Sequence, residues 1–220
     1  MKLISGKIHT LTIRVLKQGP ILMRTLIVTD IFGCNESLQS FCGQLTGELH
    51  IVSPYDFHTN NDTFHEQVMY QHFIDNLGHD AYADKVQEAL INIRPDFIVA
   101  FSAGATAAWR ALARTPLKRV QKMIAFYPGQ IRNFTELNPN CHVDIYFPEV
   151  EEHFDLNSVI SALKTIPSLY VVKSRYKHGF MNASSNNFDL DAYRHYSNLC
   201  LIEQKNLCTI TDKQQVSLQV

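Results

Sequence analysis

Short apolar segments alternate with longer amphipathic segments along most of this 220-residue chain. The short segments lack strict polar alternation, and several end in turn residues such as Pro54, Pro128-Gly129 and Pro148. Segments of this kind are typical of strands that are buried on both faces, as in parallel sheets covered by helices. The alternation therefore predicts an α/β fold with a mostly parallel central sheet and helices on both faces.

The same pattern places six strands and six helices. The predicted strands are Thr25–Thr29, Leu49–Val52, Phe97–Phe101, Met123–Tyr127, Val143–Phe147 and Leu169–Val172. The predicted helices are 36–45, 64–76, 81–93, 103–114, 156–165 and 189–203. Within the first twenty residues, Leu11, Ile13 and Val15 alternate with polar neighbours, which indicates a further strand or hairpin at one edge of the sheet.

Length and charge limit the possible partners. We expect one domain over residues 1–220, with residues 1–22 as a dispensable extension because Met23 directly precedes the first buried strand. The 20 Lys and Arg nearly balance the 21 Asp and Glu, so no strong field attracts nucleic acid or anionic lipid. The stretch Ile21–Val28 is too short to span a membrane and contains Arg24. We therefore expect neither nucleic acid nor a membrane as partner.

The cysteines and histidines indicate neither disulfides nor a metal. The five cysteines are scattered and include no C-x-x-C pair, which favours free thiols and a cytoplasmic location. His58, His65, His72 and His79 recur every seven residues. Residues seven apart on a helix are separated by about 10.5 Å of rise, too far to share one metal ion. We expect no metal site.

A serine stands where the third predicted strand meets a helix. The segment Ala100-Phe101-Ser102-Ala103-Gly104 is similar to the G-x-S-x-G elbow that carries the nucleophile of α/β-hydrolases, with one glycine replaced by alanine. A serine that merely caps the helix explains the segment equally well. Catalysis requires a histidine to accept the hydroxyl proton and a carboxylate to orient that histidine.

Both partners follow later strands in the chain order of an α/β-hydrolase, which is serine, acid, histidine. Glu149, Glu151 and Glu152 follow the strand that ends at Phe147. His178 follows the strand that ends at Val172, and the adjacent Gly179 permits a tight turn. Because parallel strands end at one edge of the sheet, these groups are expected to meet there.

Three segments resemble the dienelactone hydrolase family of α/β-hydrolases. They are residues 28–35 (Val-Thr-Asp-Ile-Phe-Gly-Cys-Asn), 53–56 (Ser-Pro-Tyr-Asp) and 178–182 (His-Gly-Phe-Met-Asn). The resemblance extends from about residue 26 to about residue 201. It implies an α/β-hydrolase fold without a cap domain, and a site that needs no cofactor.

The resemblance also implies roles for individual residues. The backbone N–H groups of Ile31 and Ala103 would form the oxyanion hole, and Glu151 would be the acid, since it holds the fourth position of the family's segment after the strand. Glu149 and Glu152 remain alternatives. Asp30, Phe32 and Tyr127 stand at strand ends and are expected to bind substrate, although Tyr127 is equally compatible with a buried core position.

We expect a hydrolase that cleaves a small carboxylic ester or lactone through Ser102, His178 and Glu151 by way of an acyl-enzyme. Archetypal family members use a cysteine nucleophile and a glutamate before the oxyanion residue, where this chain has Ser102 and Asp30. Arg175 is a candidate to hold an acidic group of the substrate. The alternatives are a thioesterase or acyltransferase with the same triad and a catalytically silent binding protein, the latter suggested by alanine and proline at positions 100 and 148.

Overall fold

The computed structural model describes residues 11–15, 23–55, 65–115 and 119–217. The strands are β1 (Leu11–Val15), β2 (Arg24–Val28), β3 (Gly47–Val52), β4 (Phe97–Phe101), β5 (Lys122–Phe126), β6 (His142–Phe147) and β7 (Leu169–Lys173). The helices are α1 (Glu36–Cys42), α2 (Glu66–Asn76), α3 (Gly78–Ile93), α4 (Ser102–Arg114), α5 (Leu156–Leu163) and α6 (Leu190–Ser217), with a short 3₁₀ helix at Gly129–Asn133.

The seven strands form one sheet in the order β1-β3-β2-β4-β5-β6-β7. Strands β2 to β7 pair in parallel, and β1 pairs antiparallel with β3 at one edge. The predicted fold class is confirmed, and an edge strand forms within the first twenty residues. Part of the segment expected to be dispensable is therefore paired with the sheet, while residues 1–10 and 16–22 lie outside the described residues.

Each face of the sheet carries its own apolar core. Leu26 and Val28 of β2 face the core that contains residues of α2, α3, α4 and α5, whereas Ile27 faces the core formed with α1 and α6. Successive side chains of a strand point to opposite faces, so a strand buried on both sides must be apolar at consecutive positions. This requirement explains the unbroken apolar segments of the sequence and places helices on both faces.

The last helix is longer than its predicted range of 189–203, because α6 continues to Ser217. Residues 204–217 contain neither glycine nor proline, and Gln204 and Leu207 are buried, so nothing in this segment stops the helix. By contrast, α1 is shorter than predicted. It ends at Cys42 instead of residue 45, and Gly43 is its C-terminal cap.

Candidate active site

Ser102 occupies a strained turn between β4 and α4. Its φ angle of +48° lies in the left-handed region of backbone conformation, which residues other than glycine seldom adopt. The glycine two residues later is required by space, because a Cβ on Gly104 would lie 2.1 Å from the carbonyl oxygen of Thr29. Ala100, which replaces the first glycine of the elbow, is fully buried in β4 between Val28 and Ala125.

Ser102, His178 and Glu151 form a continuous hydrogen-bonded chain. Ser102 Oγ lies 2.9 Å from His178 Nε2, and His178 Nδ1 lies 2.8 Å from Glu151 Oε1. When Nδ1 donates its proton to the carboxylate, the lone pair on Nε2 is free to accept the serine proton. The Glu151 side chain is 11% exposed, and that of His178 is 27% exposed. The other two candidate acids, Glu149 and Glu152, are exposed.

The loop after β7 holds His178 in position. Gly179 has a φ angle of +89°, and a Cβ there would lie 2.3 Å from Ser185 Oγ, so glycine is required. Asn187 Nδ2 donates to the His178 carbonyl at 3.0 Å. The Tyr127 ring lies beside the imidazole, with 4.9 Å between ring centroids. These contacts orient the imidazole toward Ser102.

Ile31 and Ala103 line the same cavity as Ser102. Ala103 is the second residue of α4, and the first N–H groups of a helix have no intrahelical acceptor. In the described part of the chain, the Ile31 N–H also donates to no protein acceptor. Ser102 and two residues with unpaired backbone N–H groups thus line one cavity, and an oxyanion hole requires two such donors.

The cavity has a volume of about 660 Å³, and most of its lining residues are polar or charged. Its other lining residues are Glu66, Gln67, Tyr70, His79, Gly129, Gln130, Arg132, Val150, Glu151, Glu152, His153, Lys177, His178 and Asn187. Sequence reasoning missed Arg132 and Lys177. Both residues follow a strand end by a few positions, and this placement in the sequence could have indicated that they lie at the site. Arg175, the cation suggested by the sequence, is instead exposed and lies over the Tyr176 ring.

The three residues expected to bind substrate lie behind the cavity wall. Asp30, Phe32 and Tyr127 are 6%, 4% and 0% exposed, and none of them lines the cavity. Burial raises the pKa of Asp30 to about 6, against the lowering effect of its hydrogen bond with Asn182. Burial also raises the pKa of Tyr127 well above its usual value, and the nearby Asp30 charge adds to this.

The histidine series does not converge. His65 precedes α2, His72 is exposed on α2, and His79 lines the cavity, where burial lowers its pKa. His58 lies outside the described residues. Over the described ranges, no group of three or more His, Cys, Asp or Glu side chains could hold a metal ion. Within those ranges there is also no helix of the length and apolarity needed to cross a bilayer.

Solved structures share this fold at low sequence identity. A putative dienelactone hydrolase from Klebsiella pneumoniae superposes with a TM-score of 0.67 at 14% identity, over 89% of this chain and 92% of that one. A dienelactone hydrolase from Anabaena variabilis gives a TM-score of 0.57 at 14% identity, covering 81% and 83%. The chain has an α/β-hydrolase fold.

The chain is also similar to a third solved structure and, over part of its length, to one protein sequence. A dienelactone hydrolase-like promiscuous phosphotriesterase, P91, from metagenomic libraries gives a TM-score of 0.57 at 12% identity, covering 87% of this chain and 88% of that one. The protein YczH of Bacillus subtilis is 32% identical over 91 residues, which are 40% of this chain and 44% of that protein. No family model matches the chain.

Proposed function

We propose that the protein is a serine hydrolase of the dienelactone hydrolase type, which cleaves a small carboxylic ester or lactone. The observation that carries the proposal is the unbroken chain from Ser102 Oγ through His178 to Glu151 Oε1, with hydrogen bonds of 2.9 and 2.8 Å. The similarity in fold to dienelactone hydrolases supports the reaction class.

The reaction follows from this geometry. Ser102 Oγ attacks the substrate carbonyl while its proton moves to His178 Nε2, and Glu151 stabilises the resulting imidazolium. The N–H groups of Ile31 and Ala103 donate to the oxyanion, and one such donor is typically worth about 3 kcal/mol in the transition state. The imidazolium protonates the leaving alkoxide, which leaves an acyl ester on Ser102. His178 then deprotonates a water molecule that attacks this ester, and it returns the proton to Ser102 Oγ as the acid leaves.

The nucleophile differs from that of the archetypal family members, which use cysteine. A serine hydroxyl is not held as an anion at neutral pH, so His178 must act as base at the moment of attack. Asp30 stands where those proteins have a glutamate, and its two carboxylate oxygens accept hydrogen bonds from Phe32 and Asn182. We therefore assign activation of Ser102 to His178 alone.

The cavity favours a small polar substrate. A volume of about 660 Å³ lies within the range of pockets that hold small molecules. Charged groups such as Arg132, Lys177 and Glu66 line it, which makes a long alkyl chain a poor fit. In the described ranges no inserted domain interrupts the order of strands and helices, so the strand-end loops must select the substrate.

The test combines a fluorophosphonate probe with a chromogenic short-chain ester. We expect the probe to label the wild-type protein at Ser102 and the ester to be hydrolysed. Ser102→Ala should abolish labelling and lower kcat by at least about 10³-fold, because the remaining triad cannot form the acyl-enzyme. Ser161→Ala is the matched control, since Ser161 is exposed on α5 and donates only to the Asn157 carbonyl.

Each alternative predicts a different result. Undiminished ester hydrolysis by Ser102→Ala would overturn the assignment of the nucleophile. A folded wild-type protein that the probe does not label would favour a binding protein that retains the fold. A thioester cleaved with a much higher kcat/KM than the matching oxygen ester would favour a thioesterase.

A further inference from the structure

A buried carboxylate lies beneath the catalytic loops without reaching the cavity. Asp30 follows β2 and is 6% exposed. Its Oδ1 accepts from the Phe32 N–H at 3.0 Å, and its Oδ2 accepts from Asn182 Nδ2 at 2.7 Å. The Gly33 N–H donates to the Asp30 carbonyl at 3.2 Å. Asp30 thus closes the turn that presents Ile31 and also bonds to a residue 152 positions later.

The bond to Asn182 belongs to a wider set that joins two loops. Asn182 Oδ1 accepts from Asn35 Nδ2 and from the Ser184 N–H, both at 3.0 Å. Asn35 Nδ2 also lies 3.0 Å from Ser184 Oγ, while Asn35 Oδ1 caps α1 through the Leu38 N–H. The set therefore ties the loop after β2, which carries Ile31, to the loop after β7, which carries His178.

We infer that Asp30 is a positioning residue, which through Asn182 holds the proposed oxyanion donor Ile31 in register with the proposed base His178. The inference rests on the proposed function. It replaces the substrate-binding role that the sequence suggested for Asp30. The transition state is stabilised only when the oxyanion donor on one loop and the base on the other are both in position. A misplacement of about 1 Å can lower the rate by about 10²-fold.

The contact between Asp30 and Asn182 depends on whether Asp30 is ionised. Five titratable groups from different elements act electrostatically with Asp30, namely Glu66 on α2, His178, Tyr127 after β5, Tyr55 after β3 and Tyr82 on α3. Burial raises the pKa of Asp30 to about 6. A proton on either oxygen turns that oxygen into a hydroxyl, which is a much weaker acceptor, so one of the two hydrogen bonds is weakened. Activity should then fall as the pH drops through about 6, where Asp30 takes up its proton.

The experiment exchanges donor and acceptor within the pair. Asp30→Asn keeps an oxygen for the Phe32 N–H but turns an amide NH₂ toward the NH₂ of Asn182, so the bond between the loops is lost. The double variant Asp30→Asn with Asn182→Asp restores one donor and one acceptor in reversed order. The carboxylate introduced at position 182 keeps a second oxygen for Asn35 Nδ2 and the Ser184 N–H.

We expect Asp30→Asn to lower kcat for the ester by about 10- to 100-fold with KM within about twofold, because the oxyanion contact forms only in the transition state. The double variant should recover about tenfold of this loss, as expected for directly coupled residues. The ratio of the wild-type kcat to the kcat of Asp30→Asn should fall toward one as the pH drops below about 6, because protonation disturbs the same contact that the substitution removes.

Asp96→Asn is the matched control for general effects of losing a buried carboxylate. Asp96 is 5% exposed, accepts from the Arg24 N–H and pairs with Arg119, and it precedes β4 at the opposite end of the sheet from Ser102. We expect this variant to lose stability and to keep the wild-type kcat and pH profile. Wild-type kcat in Asp30→Asn, or a double variant no more active than Asp30→Asn, would overturn the inference.

A readout that does not depend on turnover separates this inference from the proposed function. Hydrogen exchange at the Phe32 amide reports on the turn, because this N–H donates to the Asp30 side chain, and in Asp30→Asn that side chain is no longer held by Asn182 even though an oxygen remains for Phe32. We expect its protection factor to fall at least about tenfold in Asp30→Asn and to recover in the double variant. Unchanged protection would overturn the tie between the loops even in an active enzyme. Failure of ester turnover with the expected exchange pattern would count against the proposed function alone.

Discussion

Three glutamates lie within the five residues that follow β6, and only the placement of their side chains distinguishes them. Glu151 Oε1 lies 2.8 Å from His178 Nδ1, whereas Glu149 and Glu152 are exposed. Glu151→Gln removes the negative charge at nearly constant size and can donate to Nδ1, which favours the tautomer with the proton on Nε2. We expect kcat to fall by about 10⁴-fold at neutral pH, because that tautomer cannot accept the serine proton.

Glu149→Gln is the control for this substitution, since Glu149 is an exposed glutamate of the same loop and does not line the cavity. Ester kinetics for the two variants, measured with thermal unfolding, decide between the acids. A full kcat in Glu151→Gln would show that the carboxylate has no part in orienting His178.

At the scale of residues, strand-end positions were predictable, but the direction of their side chains was not. Asp30, Phe32 and Tyr127 do stand at strand ends, yet all three point into the protein beneath the cavity. Adjacent positions differ in exposure because the backbone turns sharply there, as the φ angle of +41° at Tyr127 shows. A linear sequence contains no measure of such a turn unless a glycine marks it, as at Gly179.

Among the helices and strands, α6 contacts the sheet through the buried side-chain amide of Gln204, which lies one residue beyond the predicted end of this helix. Gln204 is fully buried, and its Nε2 donates to Thr25 Oγ1 and to the Thr46 carbonyl, both at 2.8 Å. Its Oε1 accepts from the Thr46 N–H at 2.9 Å. The single side chain therefore joins α6, β2 and the loop before β3.

Gln204→Leu keeps a side chain of similar size and leaves the buried Thr25 hydroxyl and the half-buried backbone groups of Thr46 without a partner. We expect the free energy of unfolding to fall by about 2–4 kcal/mol, since each unpaired buried group costs about 1–3 kcal/mol. Urea unfolding measures the change. Asn206→Ala, an exposed amide on the same helix, should change it by less than about 0.5 kcal/mol. Because Gln204 contacts the amino ends of the strands, a large loss of kcat in the folded variant would contradict this assignment.

Most strands and helices were predictable from the sequence, because burial constrains their residues, whereas the end of α6 was not. Strands buried on both faces must be apolar at consecutive positions, so β4 has the predicted bounds of Phe97–Phe101. The end of α6 has no comparable constraint, because the segment after residue 203 mixes polar and apolar residues without a helix breaker. Tertiary contacts such as those of Gln204 extend the helix.

At the scale of the whole molecule, the parallel sheet gathers the site. The elbow after β4 and the loops after β2, β6 and β7 all emerge at one edge, so residues separated by 152 positions can bond directly. This convergence was predictable from the order of the strands. The polar contacts between loops were not, because Asn35, Asn182 and Ser184 are residue types common to any surface loop.

One consequence of this assembly is a stability that depends on pH through Asp30. The pKa of Asp30 rises on folding from an ordinary value of 3.8 to about 6. Between these pH values the native protein keeps a proton that the unfolded chain has released, so the free energy of unfolding falls as pH rises. The difference corresponds to about 3 kcal/mol. The contribution is fully present below about pH 4 and is lost as the pH rises through about 6.

Urea unfolding of the wild type and Asp30→Asn between pH 4 and pH 7.5 tests this contribution. Other carboxyl groups titrate in both proteins, so the difference between the two unfolding free energies isolates Asp30. We expect this difference, wild type minus variant, to fall by about 2 kcal/mol from pH 4 to pH 6 and to stay constant above about pH 7. A difference that is constant over the whole range would mean that folding leaves the Asp30 carboxyl unperturbed. Because the proposed positioning role requires the ionised carboxylate, this stabilisation should be present where activity is low and absent where activity is high.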